Sequence, residues 1–490
     1  MNDFMKTTIV VAGACAAGVC FGGGLQAQEL PLGGRTASMG GAAMAQGRDS
    51  AMPVLNPAGL ARVPHDTLML SASLYTWTSY EVDDFFVPAG LDPALSDRVT
   101  VTKPADSLTA SGFASFPGSA AMLFHLGGEQ GEVGHQVVGL SITVPRFEKL
   151  AFKGEFALSF GDGDAGTTRD TLTSVREKTD WLFGPSYAID LGMLKLGVSG
   201  LFKYTSFSSS DRSETLNVLE EVGGTSFSTL TTSSFSKGSR LSLEPVLGAQ
   251  ADLGGGLSVG ASATLPSVAL RSSTESTFTS EINATDGDQL QTSVATGTGE
   301  DRTPLTLRAG LAYGRPQAWT VALDVGVSFA LEEAATFEST QNTTVVTQNA
   351  PRDVREVTST TTFDKATAYD LKLGAEYYVT PFVAVRGGVF YLPNPLELEE
   401  ILEHQDTFDL DLIGFSLGLG LGNEAVSTDL GVSVSFGQGE VIAGDAWSEV
   451  GQLNVARVDA NYTSVVFFLS GSVDFAEMSA ALDKDLGGAL

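Results

Sequence analysis

The sequence predicts an all-β fold, a transmembrane antiparallel β-barrel of about 14 strands with an N-terminal hatch (plug) segment. Three observations lead to this fold class. Apolar and polar residues alternate with a period of two from about Thr67 to Phe475. Short and long connections between the predicted strands take turns along the chain. A glycine- and alanine-rich stretch without aromatic residues, Leu32 to Val63, precedes the first strand.

The first 27 residues have the three parts of a secretory signal peptide. Lys6 gives a positive start, an apolar run follows, and Leu25-Gln26-Ala27 forms an A-x-A-like end. Cleavage there would remove Cys15 and Cys20, so neither disulfides nor thiol chemistry would hold the mature chain together. The alternative is a lipoprotein with one of these cysteines lipidated, but neither has a leucine three residues before it.

Composition favours a barrel over a helical membrane protein or a nucleic-acid-binding protein. Only 18% of the 490 residues are charged, whereas about a quarter is usual for a soluble protein. No later segment offers the run of about 20 apolar residues that a membrane-spanning helix needs, but a closed barrel can cross without one. The formal net charge of −30 argues against nucleic-acid binding, which requires clustered lysine and arginine.

The strand prediction depends on stretches in which apolar residues occupy every second position. The clearest are Leu194–Tyr204, Leu305–Tyr313, Val321–Phe329, Tyr369–Val379 and Asp429–Phe436. A soluble sandwich would alternate in the same way, so alternation alone does not identify the solvent outside the sheet.

The lengths of the connections identify a membrane barrel. Short turns are predicted at Asp190–Met193, Asp252–Leu257, Gly314–Ala318, Thr380–Phe382 and Gly422–Val426. Long polar outer loops are predicted at Glu81–Asp106, Glu148–Thr171, Ser208–Lys237, Ser272–Thr303, Glu332–Thr361, Pro393–Thr407 and Gly439–Arg457. This order is typical of bacterial outer-membrane barrels, whose even strand number leaves both chain ends in the periplasm.

Three further features refine the strand pattern. The stretch Phe116 to Gly134 contains Phe116-Pro117-Gly118, which would either kink a strand or start a longer periplasmic connection. Tyr75, Trp77 and Tyr80 are interpreted as part of an aromatic girdle at a membrane interface, or as ordinary cross-strand pairs. The last strand ends in phenylalanine at Phe475, as in chains read by the barrel-assembly machinery, but Ala476–Leu490 follows it. The predicted organisation is a signal peptide (1–27), a hatch (28–65), a barrel (66–475) and a periplasmic tail (476–490).

The first mature residues resemble a known family. Gly34-Arg35-Thr36-Ala37, Met39-Gly40-Gly41-Ala42, Asp49 and Asn56-Pro57-Ala58-Gly59-Leu60 are similar to the N-terminal pattern of the FadL-type outer-membrane transporters of long-chain fatty acids and other hydrophobic compounds. The resemblance implies a fourteen-stranded barrel blocked by an N-terminal hatch, with ligand passing from the outer loops through the lumen to a lateral opening. It implies that Asn56, Pro57 and Ala58 are hatch residues. Gly40 and Gly41 would let the hatch backbone fold against the wall.

Charged residues on the polar strand faces are the candidate ligand-binding residues of the lumen. They are Lys195, Lys203, Arg308, Lys372 and Arg386. Each could bind a fatty-acid carboxylate through charge-assisted hydrogen bonds. Alternatively, Asp324, Glu376 and Glu244 could pair with them and simply hold the lumen together.

The sequence does not predict an enzyme, a cofactor or a metal site. His65, His125, His135 and His404 are scattered, without metal-like spacing or a Ser-His-acid arrangement.

We therefore expect a Gram-negative outer-membrane channel for passive uptake of long-chain fatty acids or other hydrophobic small molecules. Its partners would be that ligand, the outer-membrane lipid and lipopolysaccharide, and the barrel-assembly machinery during biogenesis. One alternative is a structural or secretion-system-associated barrel that docks partner proteins, because the same N-terminal pattern occurs there. A general diffusion porin also fits the barrel, but not the plug.

Overall fold

The computed structural model shows a closed antiparallel barrel of 14 strands, which confirms the predicted fold class. It describes residues 31–83, 99–101, 108–127, 133–160, 166–221, 224–284, 288–315, 317–348, 351–394, 408–422, 426–445 and 454–475. Within these ranges, none of the helices has the length and hydropathy that crossing a membrane requires. The predicted signal peptide with Cys15 and Cys20, the predicted tail and His404 all lie outside them.

In the described residues before β1, two short α-helices and one 3-10 turn precede the barrel. They are α1 (Arg35–Ser38), α2 (Met52–Leu55) and the 3-10 turn (Pro57–Arg62).

Nineteen strand segments follow in the described part of the chain. The first ten are β1 (Thr67–Val82), β2 (Val99–Val101), β3 (Leu108–Gly127), β4 (His135–Phe160), β5 (Gly166–Asp190), β6 (Leu194–Glu221), β7 (Gly224–Gly254), β8 (Leu257–Thr264), β9 (Val268–Ala284) and β10 (Gln289–Asp301). The others are β11 (Thr306–Arg315), β12 (Trp319–Ser328), β13 (Leu331–Thr347), β14 (Asp353–Lys365), β15 (Ala368–Thr380), β16 (Val383–Leu392), β17 (Phe408–Gly422), β18 (Val426–Asp445) and β19 (Asn454–Asp474).

The segments form 14 wall strands because four of those strands are interrupted. The pairs β8/β9, β10/β11, β12/β13 and β14/β15 each make one strand with a break, while β2 is a short piece paired with β4. Pro266 and Pro304 lie in two of the breaks and cannot donate to a ladder. Antiparallel pairing of β1 with β19 closes the barrel.

The predicted alternation is present, with apolar residues facing outward along the lower strands. The exposed outward residues of β11, β12 and β15 include Leu307, Leu311, Tyr313, Val321, Leu323, Val325, Leu371, Leu373 and Tyr377. In β1 an irregularity between Ser73 and Tyr75 changes which side chains face inward. Odd-numbered residues face the interior before it, and even-numbered residues face the interior after it. Tyr75 and Trp77 therefore point outward, whereas Tyr80 is only 2% exposed and faces the interior. The girdle interpretation was wrong for Tyr80.

Several predicted outer loops are in fact strands. The stretches 148–171, 208–237, 272–303 and 332–361 are mostly extended hairpins, and β6 and β7 reach 28 and 31 residues. A transmembrane β-strand needs about 9–11 residues, so these hairpins continue the wall beyond the bilayer. The sequence pattern does not predict these strands because serine and threonine occupy both of their faces, which removes the apolar alternation.

The ladder between β3 and β4 has a gap. Paired positions stop at Ser111–Ala151 and resume at Ser119–Thr143. Pro117 and Pro145 lie in the two unpaired stretches and have no N–H group to donate. Of the two predictions for Phe116-Pro117-Gly118, a disturbance within a continuing strand is therefore the correct one.

Candidate functional site

The N-terminal segment, residues 31–66, lies inside the barrel and crosses its lumen. Helix α1 contacts β16, β17 and β18, and the 3-10 turn contacts β4 to β7 on the opposite side of the wall. Met39, Met52 and Leu60 of this segment are completely buried. The segment therefore fills a cross-section of the pore.

Asn56, Pro57 and Ala58 anchor this segment to the wall. The buried Asn56 amide donates hydrogen bonds to the carbonyl oxygens of Met44, at 2.8 Å, and Ala249, at 3.1 Å. Its Oδ1 accepts from the Ala58 N–H at 3.2 Å, which caps the 3-10 turn. Pro57 begins that turn, where no N–H is required.

Gly40 and Gly41 form a turn against the opposite wall. Their φ angles of 65° and 84° lie in the left-handed region that favours glycine. The Gly40 N–H donates to Ser416 Oγ at 2.8 Å, and Gly41 lies beside the aliphatic part of Lys372. Nearby, Asp324 accepts from the backbone N–H groups of Ala43 and Met44 at 2.6 and 2.9 Å.

A buried ion network joins the segment to β15, β16 and β18. Arg35 donates to the Glu376 carboxylate from its Nη2 at 3.0 Å and from its Nε at 3.1 Å. Glu376 also accepts from Arg386 Nε at 2.6 Å, and Arg386 in turn binds Asp429. Glu376 is 4% exposed. One wall carboxylate thus links the N-terminal segment to a wall arginine.

A second polar contact fixes the end of the 3-10 turn. Arg62 donates to Gln250 at 2.5 Å and to Asp252 at 2.7 Å. Asp252 also binds Lys195 at 3.2 Å, and Lys195 lies 3.5 Å from Asp190.

His125 fixes the connection from the segment to β1. Its Nδ1 lies 2.8 Å from Asp66 Oδ1, its Nε2 lies 3.0 Å from the Val63 carbonyl, and its ring stacks on His135 at 4.8 Å. Burial alone would raise the pKa of Asp66, but the hydrogen bonds from His125 outweigh it and bring that pKa below its usual value.

All five predicted lumen cations lie near carboxylates. Lys195 and Arg386 belong to the contacts described above. Glu376 pairs with Arg386, as expected if the carboxylates of the wall hold the lumen together. Lys203 lies 3.9 Å from Asp180. Arg308 and Lys372 lie 3.7 and 3.8 Å from Asp370. Binding of a ligand by these cations stays a prediction.

Sequence reasoning missed a belt of wall glycines. At each of them a β-carbon would overlap or crowd the N-terminal segment; they are Gly197, Gly248, Gly260, Gly310, Gly374, Gly388 and Gly418. Several are directly paired across neighbouring strands, such as Gly197 with Gly248 and Gly374 with Gly388. We call these seven residues the glycine belt. The signal was present as glycines on the polar faces of the predicted strands.

Sequence reasoning also missed an apolar patch inside the outer rim. It consists of Tyr80, Val82, Leu108, Ala110, Leu150, Phe152, Leu410, Leu412, Val458, Ala460 and Tyr462. Outward residues between them are polar and exposed, for example Glu81, Thr109, Lys153 and Asp459. Apolar residues face inward and polar ones outward here, the reverse of the lower wall, so this part of the wall stands in water. This reversed alternation was the available signal.

A cationic patch lies on the lumen side of the long hairpins. Its cations are Arg146, Arg176, Lys178, Lys203, Arg240 and Lys365, and the carboxylates Glu148, Asp180, Glu244 and Asp301 lie among them. The guanidinium of Arg240 lies between the rings of Phe207, at 5.1 Å, and Phe337, at 4.6 Å. Its Nε and Nη2 have no hydrogen-bond partner among the described residues. The lumen thus has a surplus of positive charge here.

Comparison with solved structures identifies the fold. The chain is similar to the structure of a Pseudomonas aeruginosa FadL homologue, with a TM-score of 0.53, 13% identity and coverage of 92% of this chain and 100% of that one. The barrel has a FadL-type fold. This confirms the resemblance at the level of the fold.

Two other solved structures share the FadL-type fold. The CymD monoaromatic hydrocarbon channel aligns with a TM-score of 0.50 at 13% identity, over 91% of this chain and 98% of that one. The deltaS2 mutant of the TodX monoaromatic hydrocarbon channel aligns with a TM-score of 0.52 at 15% identity, over 91% and 99%. No protein-family model matches the chain. No curated protein matches it either.

The glycine belt generates a first prediction. Gly197→Ala should loosen the N-terminal segment, because the new methyl group overlaps the Pro57 backbone, a clash of about 1–3 kcal/mol. Gly200→Ala on the same strand is the matched control, since its β-carbon would meet open space. Hydrogen exchange of residues 35–62 in the purified barrel measures the difference. Equal protection in both variants would contradict the prediction.

The ion network generates a second prediction. Glu376→Gln should release the segment more than Arg35→Met does, because the glutamine leaves both Arg35 and Arg386 without this counter-charge. In Arg35→Met, Glu376 keeps Arg386. Breaking a buried pair costs about 3–5 kcal/mol. Limited proteolysis between residues 35 and 62, with the heat-dependent gel shift of the barrel as the folding control, ranks the variants. The reverse ranking would disprove the assigned role of Glu376.

Proposed function

We propose that the protein is a channel of the Gram-negative outer membrane that passes hydrophobic compounds inward without energy input, gated by its N-terminal hatch. The observation that supports this proposal is the order of features along the lumen. An apolar patch and a cationic patch lie on the outer side of an N-terminal segment that fills the pore. A general diffusion porin would need an open pore, whereas this pore is filled.

Long-chain fatty acids are the ligands that suit both patches. The apolar patch would receive the acyl chain, since burying it gains about 0.8 kcal/mol per methylene group. Arg240, with free donor groups between two rings, and Lys178 would bind the carboxylate through charge-assisted hydrogen bonds. The described solved structures include hydrocarbon channels, whose named ligands carry no charge. The cationic patch is the feature that favours an acid.

The proposed path ends at the wall. Ligand would enter over the apolar patch, rest with its head group at the cationic patch, and leave sideways through the gap between β3 and β4. The predicted cations Lys195, Arg308, Lys372 and Arg386 would hold the lower lumen around the hatch, while Lys203 lies within the cationic patch. The outer-membrane lipid would receive the ligand. Lipopolysaccharide would surround the rim, and the barrel-assembly machinery would insert the chain.

A third prediction tests the choice of an acid. Arg240→Leu should reduce oleate transfer into protein-containing vesicles about tenfold, because one charge-assisted hydrogen-bonding group is lost. Transfer of a neutral hydrocarbon should not change. Lys237→Leu, an exposed lysine of the same strand, is the control. If both ligands slow equally, Arg240 has a structural role only.

A fourth prediction tests the hatch. Asn56→Ala removes the amide that donates to the Met44 and Ala249 carbonyl oxygens and leaves Met44 only its hydrogen bond from Gln250, a loss of about 1–3 kcal/mol, and should alter uptake while the barrel still assembles. Asn283→Ala, at an outer hairpin, is the control. Conductance in planar bilayers separates the alternatives, since a sealed channel should pass little ion current. Unaltered uptake of every hydrophobic compound, together with co-purifying partner proteins, would instead support the docking barrel.

A further inference from the structure

Two cations of the cationic patch have donor groups that no carboxylate takes up. Lys178 makes no hydrogen bond and no ion pair within 4 Å among the described residues. Arg240 leaves its Nε and Nη2 without a partner in the same part of the chain. Its ion-pair partner Asp301, at 3.7 Å, is shared with Lys365, at 2.8 Å. Lys178 and Arg240 therefore keep unused hydrogen-bonding capacity.

These two cations meet around one aromatic ring. Phe207 of β6 lies directly opposite Lys178 of β5, and its ring lies 5.1 Å from the guanidinium of Arg240 on β7. The ring extends over Gly238 of β7, where a β-carbon would overlap it. Neighbouring strands lie about 4.8 Å apart, so long side chains on β5 and β7 can reach one group between them.

Burial makes this positive charge costly in the absence of an anion. It lowers the pKa of Lys178 to about 8, because a buried ammonium is poorly solvated. Burial also raises the pKa of Glu148, the cross-strand neighbour of Lys178, to about 7, so this carboxylate carries only part of its negative charge at neutral pH. An anion bound between Lys178 and Arg240 would supply the missing counter-charge.

The donors of Arg240 and Lys178 match a phosphate group. Nε and Nη2 form one side of the guanidinium fork, which binds two oxygens of the same group at once. The ammonium of Lys178 would bind a third oxygen as a point charge. A phosphate monoester offers three acceptor oxygens and about two negative charges at neutral pH. A carboxylate offers two oxygens and one charge, so it cannot satisfy both cations fully.

The adjoining apolar patch indicates that this ligand has a hydrocarbon chain. Arg176 of the cationic patch pairs directly with Leu150 of the apolar patch, and its guanidinium lies 5.5 Å from the ring of Phe152. Lys178 follows Arg176 by two residues on the same face of β5. A chain attached to a head group at Lys178 could therefore lie on the apolar patch, whereas free phosphate would gain nothing from it.

We propose that Lys178 and Arg240 form a binding site for a phosphate monoester head group, so that the channel takes up single-chain alkyl phosphates as well as fatty acids. This inference rests on the proposed function, because it uses the same cationic and apolar patches. It adds a second class of ligand, distinguished by the charge of its head group.

The test compares hexadecyl phosphate with palmitate, which share a chain length and differ in head group. Equilibrium binding to the purified barrel in micelles of a neutral detergent gives both affinities at neutral pH, together with that of inorganic phosphate. Wild type should bind hexadecyl phosphate about tenfold more tightly than palmitate, because the second charge adds a charge-assisted hydrogen bond. Inorganic phosphate, which has no chain, should bind at least about a hundredfold more weakly than hexadecyl phosphate.

Two lysine variants locate the second charge. Lys178→Leu should bring the two lipid affinities within about twofold of each other. It should not lower the temperature of the heat-dependent gel shift, because it removes a buried charge and breaks no ion pair. Lys149→Leu, which replaces an exposed lysine of the neighbouring strand β4, should keep the tenfold difference.

Other outcomes overturn the inference or the proposed function separately. Equal affinities of wild type for the two lipids would overturn the inference and leave the proposed function intact. An unchanged difference in folded Lys178→Leu would overturn the role of Lys178. Inorganic phosphate that binds as tightly as hexadecyl phosphate would assign the site to the free ion and overturn the lipid ligand. Wild-type protein that binds neither lipid above empty micelles would overturn the proposed function itself.

Discussion

The close approach of one backbone to another inside the barrel is the constraint on which the rest of the structure depends. The N-terminal segment can fill the pore only if its peptide groups touch the wall, and the glycine belt removes every β-carbon that would prevent this. Once the backbones are in contact, each polar group that they bury needs a partner. Asn56, Asp324 and Ser416 supply those partners.

Glu376 is the carboxylate that joins the N-terminal segment to the wall through ion pairs. A carboxylate inside the barrel is stable only with counter-charges, and it has one from the segment, Arg35, and one from the wall, Arg386. The wall arginine keeps its own second partner, Asp429. Removing the segment would therefore leave Glu376 with reduced compensation rather than none. The segment thus supplies one of the two counter-charges of Glu376, and the wall supplies the other.

The sequence could predict the features that depend on neighbours along the chain. Period-two alternation places Lys195 and Leu196 on opposite faces whatever the fold around them, so strand positions and inward cations follow from it. The partners of those cations do not follow. Arg35 and Glu376 are separated by 341 positions, and only the closed barrel brings them together. For the same reason the seven glycines looked unrelated until pairing aligned them in one belt.

Two errors have local physical causes. The inward turn of Tyr80 results from one irregularity in β1, which shifts the parity of every later residue of that strand. The sequence predicts loops where the long hairpins lie, because their serine and threonine side chains suit either face. In both cases the strand is present, but its apolar residues do not follow the simple alternation used to predict which side chains face inward. The reversal of the alternation near the rim, with Val82 inside and Glu81 outside, marks where water replaces lipid around the wall.

The acidic composition of the whole chain does not determine the charge of its lumen. The formal charge of −30 belongs to the whole chain, and solvated charges farther away than about 8–10 Å are largely screened. A group inside the rim is influenced mainly by the lumen side chains near it, and in the cationic patch these are six cations and four carboxylates. The local charge of the lumen thus depends on which side chains neighbouring strands bring together, which overall composition could not reveal.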